Sequence, residues 1–225
     1  MDFLINELYH HGIKGQKWGV RRFQNADGSL TEAGKKHYNY AVNKKDVHIP
    51  TGTKFNRVSL KPVENDKNVC KYVTLDPEDK KWRNLFINVY GVYHGRDIYE
   101  HSYESIKNVK VSSIESSKKL FDKMIEDPEF EKAVNEQIKS HEKFTNTGKP
   151  EDDQRTKFFK SFGMRENATN MYIAQSMKNG YDAMADVFGV ESGSNTATIV
   201  YDPDSSLKQT SYKILYRGRM KSFNF

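Results

Sequence analysis

Apolar and polar positions change their spacing twice along the chain, and the changes divide it. From residue 46 to 111 the pattern is close to two-residue alternation, the signature of strands with one face buried. Residues 53–59 put Phe55 and Arg57 on one face and Lys54, Asn56 and Val58 on the other, behind an entry marked by Pro50 and Gly52. Residues 68–75 carry Val69, Tyr72 and Val73. Residues 85–93 carry Phe86, Ile87, Val89, Tyr90, Val92 and Tyr93, and residues 99–111 set Tyr99, His101, Tyr103 and Ser105 on one face before a short further strand. From 112 to 180 the spacing becomes helical. Ser112 or Ser113 caps a first helix with Leu120, Phe121, Met124 and Ile125 on one stripe. Asp127-Pro128-Glu129 opens a second, with an apolar seam of Phe130, Val134 and Ile138. After a polar loop at 145–153, Phe158, Phe159 and Phe162 fall on a short helix stopped at Gly163, and a last helix over 168–178 ends at Asn179-Gly180. Residues 195–201 return to strand, Asp202-Pro203 reads as a turn, and 211–217 reads as a final strand. Strands, then helices, then strands predict an α+β domain rather than a βαβ parallel sheet.

Residues 1–45 follow neither spacing. They hold Gly12, Gly15, Gly19, Gly28 and Gly34, have few aliphatic side chains after Val20, and cannot build a core alone. Asp27-Gly28 marks a turn, and Leu30 to Gly34 opens a short helix that Gly34 weakens. The chain therefore divides into an extended N-terminal segment, 1–45, and a domain, 46–225. With 36% hydrophobic and 29% charged residues the expected core is modest, while 12% aromatic residues argue against disorder. No apolar run approaches the ~18–20 residues that span a bilayer, and the acidic start is too short in apolar residues for a secretory signal. One cysteine, Cys70, excludes an internal disulfide and a multi-cysteine zinc site, and its apolar neighbours make it a small core residue rather than a nucleophile. The net charge of +6 has a local source: Lys14, Lys17, Arg21 and Arg22 lie between His10 and Gln24 with no acidic residue among them.

No phosphate-binding glycine loop, His-Glu-x-x-His, EF-hand loop or Gly-x-Ser-x-Gly is present, and the seven histidines lack metal-ligand spacing, so no metal is expected. Two features carry more. The first is the basic N-terminal strip. Trp18 and Phe23 are suited to anchor in a partner's pocket while Lys14, Lys17, Arg21 and Arg22 steer it to an acidic surface. The same residues also suit stacking on bases and neutralising phosphates, the nucleic-acid alternative. The run His-His-Gly-Ile-Lys-Gly-Gln-Lys-Trp-Gly-Val-Arg-Arg-Phe-Gln-Asn-Ala-Asp-Gly-Ser-Leu-Thr-Glu-Ala-Gly from His10 to Gly34 closely resembles a segment of structural and head-associated proteins of tailed bacteriophages, over residues 10–38. That resemblance implies a phage-encoded protein in the virion or the host cytoplasm, with other virion proteins, and in one reading a host protein, as partners.

The second feature is an order of pieces: Gly52 to Val58 with Arg57, Lys71 to Leu75 with Thr74, a helical block, then Gly180 to Asp186 and a Gly/Ser loop leading into Thr198-Ile199-Val200-Tyr201-Asp202-Pro203. This order resembles the ADP-ribosyltransferase-like fold, a split antiparallel sheet with a helical block. The resemblance implies NAD as the cofactor, Arg57, Tyr72 and Thr74 as its binding residues, and a glutamate at the start of the late strand. That glutamate position holds Asn195, and Glu191 lies four residues upstream as the substitute. An amide carries no charge to offset a developing cation. The leading expectation is thus a virion-associated accessory protein whose transferase-like domain is inactive. The alternatives are an active mono-ADP-ribosyltransferase modifying a host protein, with Glu191 or Asn195 as its catalytic residue, and a nucleic-acid-binding packaging or scaffold component.

Overall fold

The alternation read around Phe55 continues through most of a single eight-stranded mixed sheet. The computed structural model describes residues 25, 31–34, 45–62, 70–75, 83–84, 86–141, 153–163, 166–187 and 197–218. Its strands are β1 (Val47–Ile49), β2 (Lys54–Ser59), β3 (Lys71–Thr74), β4 (Ile98–Ser105), β5 (Val109–Ser112), β6 (Ala183–Ala185), β7 (Ala197–Val200) and β8 (Leu207–Tyr216). They lie in the order β1-β5-β6-β7-β3-β2-β4-β8. The helices are α1 (Ile114–Met124), α2 (Pro128–Ser140), α3 (Gln154–Lys160), α4 (Asn167–Lys178) and α5 (Pro203–Ser206).

The sheet has to curl. Only residues 106–108 join β4 to β5, so Ser105 and Val109 are separated by roughly 14 Å of chain at most. Those strands stand five places apart in the sheet, roughly 24 Å if it were flat. Inside the curl lies one core, with Val47, Ile49, Phe55, Val73, Leu75, Tyr103, Val109, Val111, Ala183, Val200 and Leu207 all buried. The opposite face of β3, β6 and β7 presents Tyr72, Met184 and Ile199 to the helical block, where Phe121, Phe130, Phe158, Phe159, Phe162 and Tyr172 form a second core. Their ring centroids lie 5.1 to 6.2 Å apart, in contact range for tilted and edge-on aromatic pairs.

Helix starts follow the sequence signals. Ser113 caps α1 by accepting from Ser116 N–H, Asp127 caps α2 from Glu129 N–H with Pro128 in the first turn, and Asp153 caps α3. Helix α4 ends at Asn179, and Gly180 takes a left-handed φ of 79°. Other expectations are corrected. The sheet is not wholly antiparallel: β5 and β6 run parallel, because the helical block between them carries the chain back to the end at which β5 started. Of the run 85–93 read as a strand, the described residues 86–93 do not form one. Ile87–Tyr93 is a π-helix, since β4 already has β2 and β8 on its two sides and Phe86, Tyr90 and His94 recur at helical spacing, the first two stacking at 4.7 Å. Gly91 lies against the Tyr216 ring, where a β-carbon would come within 2.6 Å. Asp202 is more than a turn residue, since its carboxylate caps α5, and the last strand starts at Leu207 rather than Ser211. The short buried strands β1 and β6 have too few residues to show alternation and are seen only in three dimensions.

Candidate functional site

Strands β2 and β3 separate almost as soon as they meet. Their ladder has one pair, Asn56 with Thr74, whereas β2 pairs with β4 over six residues and β3 with β7 over four. Beyond that pair the Arg57 side chain bridges the opening: its Nη1 donates to the Tyr72 carbonyl at 3.1 Å. The guanidinium thus takes over a place that a ladder hydrogen bond would otherwise fill, and the two halves of the sheet part along this seam.

A polar row crosses the seam. Ser102, Asn56, Thr74 and Ala197 are successive register partners on β4, β2, β3 and β7, and Asp186, just beyond β6, donates its N–H to the Ala197 carbonyl at 2.9 Å. Thr74 Oγ1 donates to the Asn56 carbonyl, and Ser102 Oγ to Asn56 Oδ1, both at 3.3 Å. Ser102, Asn56 and Thr74 are half-buried, so solvent reaches part of this row. On the side of the helical block Tyr72 donates its hydroxyl to the Phe162 carbonyl. The segment holding the π-helix is tied to β4 by Arg83 on the buried carboxylate of Glu100, which also takes Lys213 at 2.7 Å.

Two opposite charges act on Tyr72 and Cys70 beside this row. Asp186 is only 6% exposed. Burial raises the ionisation of the Tyr72 hydroxyl well above the usual phenol range, with the Asp186 carboxylate and the Cys70 sulfur adding to the rise and Arg57 opposing it. Burial likewise pushes the Cys70 thiol up to about 11, Arg57 opposing and Asp186 adding to it. Cys70 is therefore a protonated core residue, as its neighbours suggested. A second polar cluster lies on the curled side of β4. The buried His101 holds Lys61 O at 2.9 Å and Ser59 Oγ at 3.2 Å through Nε2, and Gln209 at 3.1 Å through Nδ1, while Lys71 Nζ donates to Tyr103 Oη at 3.1 Å. Among the described residues no three His, Cys, Asp or Glu side chains come together so as to hold a metal ion, and no helix is long and apolar enough to cross a membrane.

Residues 1–25 match a family of unknown function (DUF7211). Comparisons with the curated proteins and with the solved structures gave no match. The matched stretch takes in Lys14, Lys17, Trp18, Arg21, Arg22 and Phe23, the residues read as a docking strip; these lie outside the described residues, as do Glu191 and Asn195. Of the residues the sequence singled out, the seam brings together Arg57, Tyr72 and Thr74. Asn56, Ser102 and Asp186 were missed. The available signal for Asp186 was the apolar triplet Ala183-Met184-Ala185 ended by an acid, a short buried strand running into a polar position.

Proposed function

We propose that residues 46–225 form an ADP-ribosyltransferase-like domain that binds NAD at the β2–β3 seam, in a phage virion-associated protein docked through its N-terminal segment. The observation that carries the reading is Arg57 where the β2–β3 ladder ends, its guanidinium donating to the Tyr72 carbonyl next to the Asn56–Thr74 pair. A guanidinium offers a planar fork of donors to phosphate oxygens, and Thr74, Asn56 and Ser102 supply neutral hydrogen-bonding groups for a sugar or carboxamide. With Asn195 at the position where the resemblance asks for a glutamate, the expected outcome is binding without turnover. Calorimetry of the full chain with NAD tests this: saturable binding that Arg57→Ala weakens at least ~10-fold, the scale of a lost charge-assisted contact, with no nicotinamide released on chromatography. Absence of binding at millimolar NAD overturns the reading.

The docking role of the N-terminal segment has its own support. The family match covers residues 1–25, the stretch that holds Lys14, Lys17, Trp18, Arg21, Arg22 and Phe23. Incorporation of the protein into phage particles is expected to fall in Trp18→Ala, by the ~1–3 kcal/mol that a buried aromatic anchor contributes. Unchanged incorporation after deletion of residues 1–40 would refute it.

A further inference from the structure

Arg57 and the Tyr72 ring stand on opposite faces of the sheet. Arg57 shares its face of β2 with Phe55, which is buried inside the curl, whereas the Tyr72 ring packs on the other side against the helical block. The Tyr72 carbonyl links them, since strand carbonyls lie in the plane of the sheet and Arg57 Nη1 donates to this one at 3.1 Å. At Tyr72 the ladder with β7 continues, through its pairing with Ile199, but the ladder with β2 has ended at Asn56–Thr74. The carbonyl that holds Arg57 thus faces the parted side of β3. Its residue is gripped from the far end of the ring. The hydroxyl donates to the Phe162 carbonyl, and Gly163, at φ +86°, lies so close that a β-carbon there would come within 2.5 Å of the hydroxyl oxygen, 2.7 Å of Cε2 and 3.0 Å of Cζ. The turn that grips it is itself fixed: Phe162 is buried among the aromatic rings, and Ser161 accepts from the Gln137 amide.

From this chain of contacts we infer that Tyr72 is a positioning residue: the Phe162-Gly163 turn fixes Tyr72, and the Tyr72 carbonyl fixes the reach of Arg57. Tyr72 then serves binding through Arg57 rather than by touching the ligand, its hydroxyl being engaged by the helical block. The inference rests on the reading of the seam as an NAD site and assigns the helical block a part in it. A guanidinium carries five N–H donors, so a contact with the carbonyl and a contact with a phosphate are compatible. An arginine already held in place gives up less rotamer freedom when a ligand takes it, a saving of up to ~10-fold in affinity.

The test is a double-mutant cycle on the full chain, with NAD affinity read by calorimetry. Gly163→Ala, which displaces the ring, and Tyr72→Phe, which keeps the ring and removes only its hydroxyl, are each made in wild type and in Arg57→Ala. In wild type Gly163→Ala is expected to weaken NAD binding by up to ~10-fold and Tyr72→Phe by less. In Arg57→Ala neither changes the affinity beyond ~2-fold, because the group they act through is gone. A merely structural role would lower the affinity by the same factor in both backgrounds. A readout free of ligand accompanies the cycle: phenylglyoxal labelling of Arg57, mapped by mass spectrometry, speeds up in Gly163→Ala and in Tyr72→Phe. It stays unchanged in Gly180→Ala, where a β-carbon meets nothing within 4 Å. Should Gly163→Ala fail to fold, Tyr72→Phe decides both arms. Equal factors in the two backgrounds, or Arg57 labelling in Tyr72→Phe at the wild-type rate, overturn the inference and leave the NAD site standing. If wild type binds no NAD at millimolar concentration, the NAD reading falls and this inference with it.

Discussion

Replacing Gly163 by alanine isolates the contact that holds Tyr72 against the helical block. Gly163 follows α3 with φ at +86°, and a β-carbon there would lie 2.5 Å from the Tyr72 hydroxyl oxygen and 2.7 Å from Cε2. Two costs add. The left-handed backbone costs a non-glycine residue ~1–2 kcal/mol. The Tyr72 ring must also move, giving up its hydrogen bond to the Phe162 carbonyl, a further ~0.5–1.5 kcal/mol. The sum is ~2–3 kcal/mol. Gly180 is the control: its φ is +79°, and a β-carbon there meets nothing within 4 Å. Gly180→Ala should thus cost only the backbone strain, ~1–2 kcal/mol. Urea unfolding followed by tyrosine fluorescence measures both. With a slope near the upper end for small proteins, the Gly163→Ala midpoint falls by roughly 1 M and the Gly180→Ala midpoint by about half of that, slopes unchanged. Because Tyr72 lines the seam, Gly163→Ala should also weaken NAD binding, and Gly180→Ala should not. Equal midpoints for the two variants would refute the claim that Tyr72 is locked against this turn.

Gln137, 1% exposed, is a hub between three helices: its amide donates to Ser161 O and Oγ at 3.2 and 2.9 Å, and its carbonyl accepts from Thr169 N–H and Oγ1 at 3.1 Å. Gln137→Leu strands a buried N–H and costs ~2–4 kcal/mol by urea unfolding; a cost below 1 kcal/mol would show the network to be dispensable. Cys70 should resist thiol reagents at pH 8 in the folded protein and react at once in denaturant. Its folded ionisation, pushed up to about 11, lies above the unfolded value near 9.0, so the unfolded state loses its proton first and this contribution to stability declines as pH rises from 9 to 11, by at most ~2–3 kcal/mol. A melting temperature that holds level through that window counts against a buried thiol. Asp182 accepts Lys110 N–H at 2.9 Å and Lys107 Nζ at 2.7 Å, pinning the parallel β5–β6 junction. Asp182→Ala is expected to cost ~1–3 kcal/mol, mostly from the backbone contact because water screens the half-exposed Lys107; a salt-sensitive loss would instead assign it to the ion pair.

Local chemistry made much of the helical block readable. Ser113, Asp127 and Asp153 sit where helix N–H groups need acceptors, and that need involves only neighbours in sequence. The alternation around Phe55 and Tyr103 identified β2 and β4 for the same reason, since one face of each is mostly buried. Sequence failed where a neighbour from elsewhere decides. Helix α4 starts at Glu166 with no cap from its own side chain, because Gln137 of α2 caps it from across the bundle. The run at 85–93 has strand-like composition, but the places beside β4 were already taken, so Ile87–Tyr93 coiled instead.

The candidate site divides in the same way. Arg57, Tyr72 and Thr74 were legible because they lie on strands whose spacing is local. That β2 and β3 share one pair and then part depends on the curl imposed by the three residues joining β4 to β5, a closure between distant strands. Asp186 reaches the same row only because the helical block returns the chain beside β5, and no spacing along the sequence encodes that return. By itself the sequence determined which residues form helices and half-buried strands, and where the basic strip ends. The tertiary structure decided which strands meet, where they separate, and that a guanidinium and a buried carboxylate act on the same two side chains, Tyr72 and Cys70, because register and closure are settled by contacts between residues far apart in the chain.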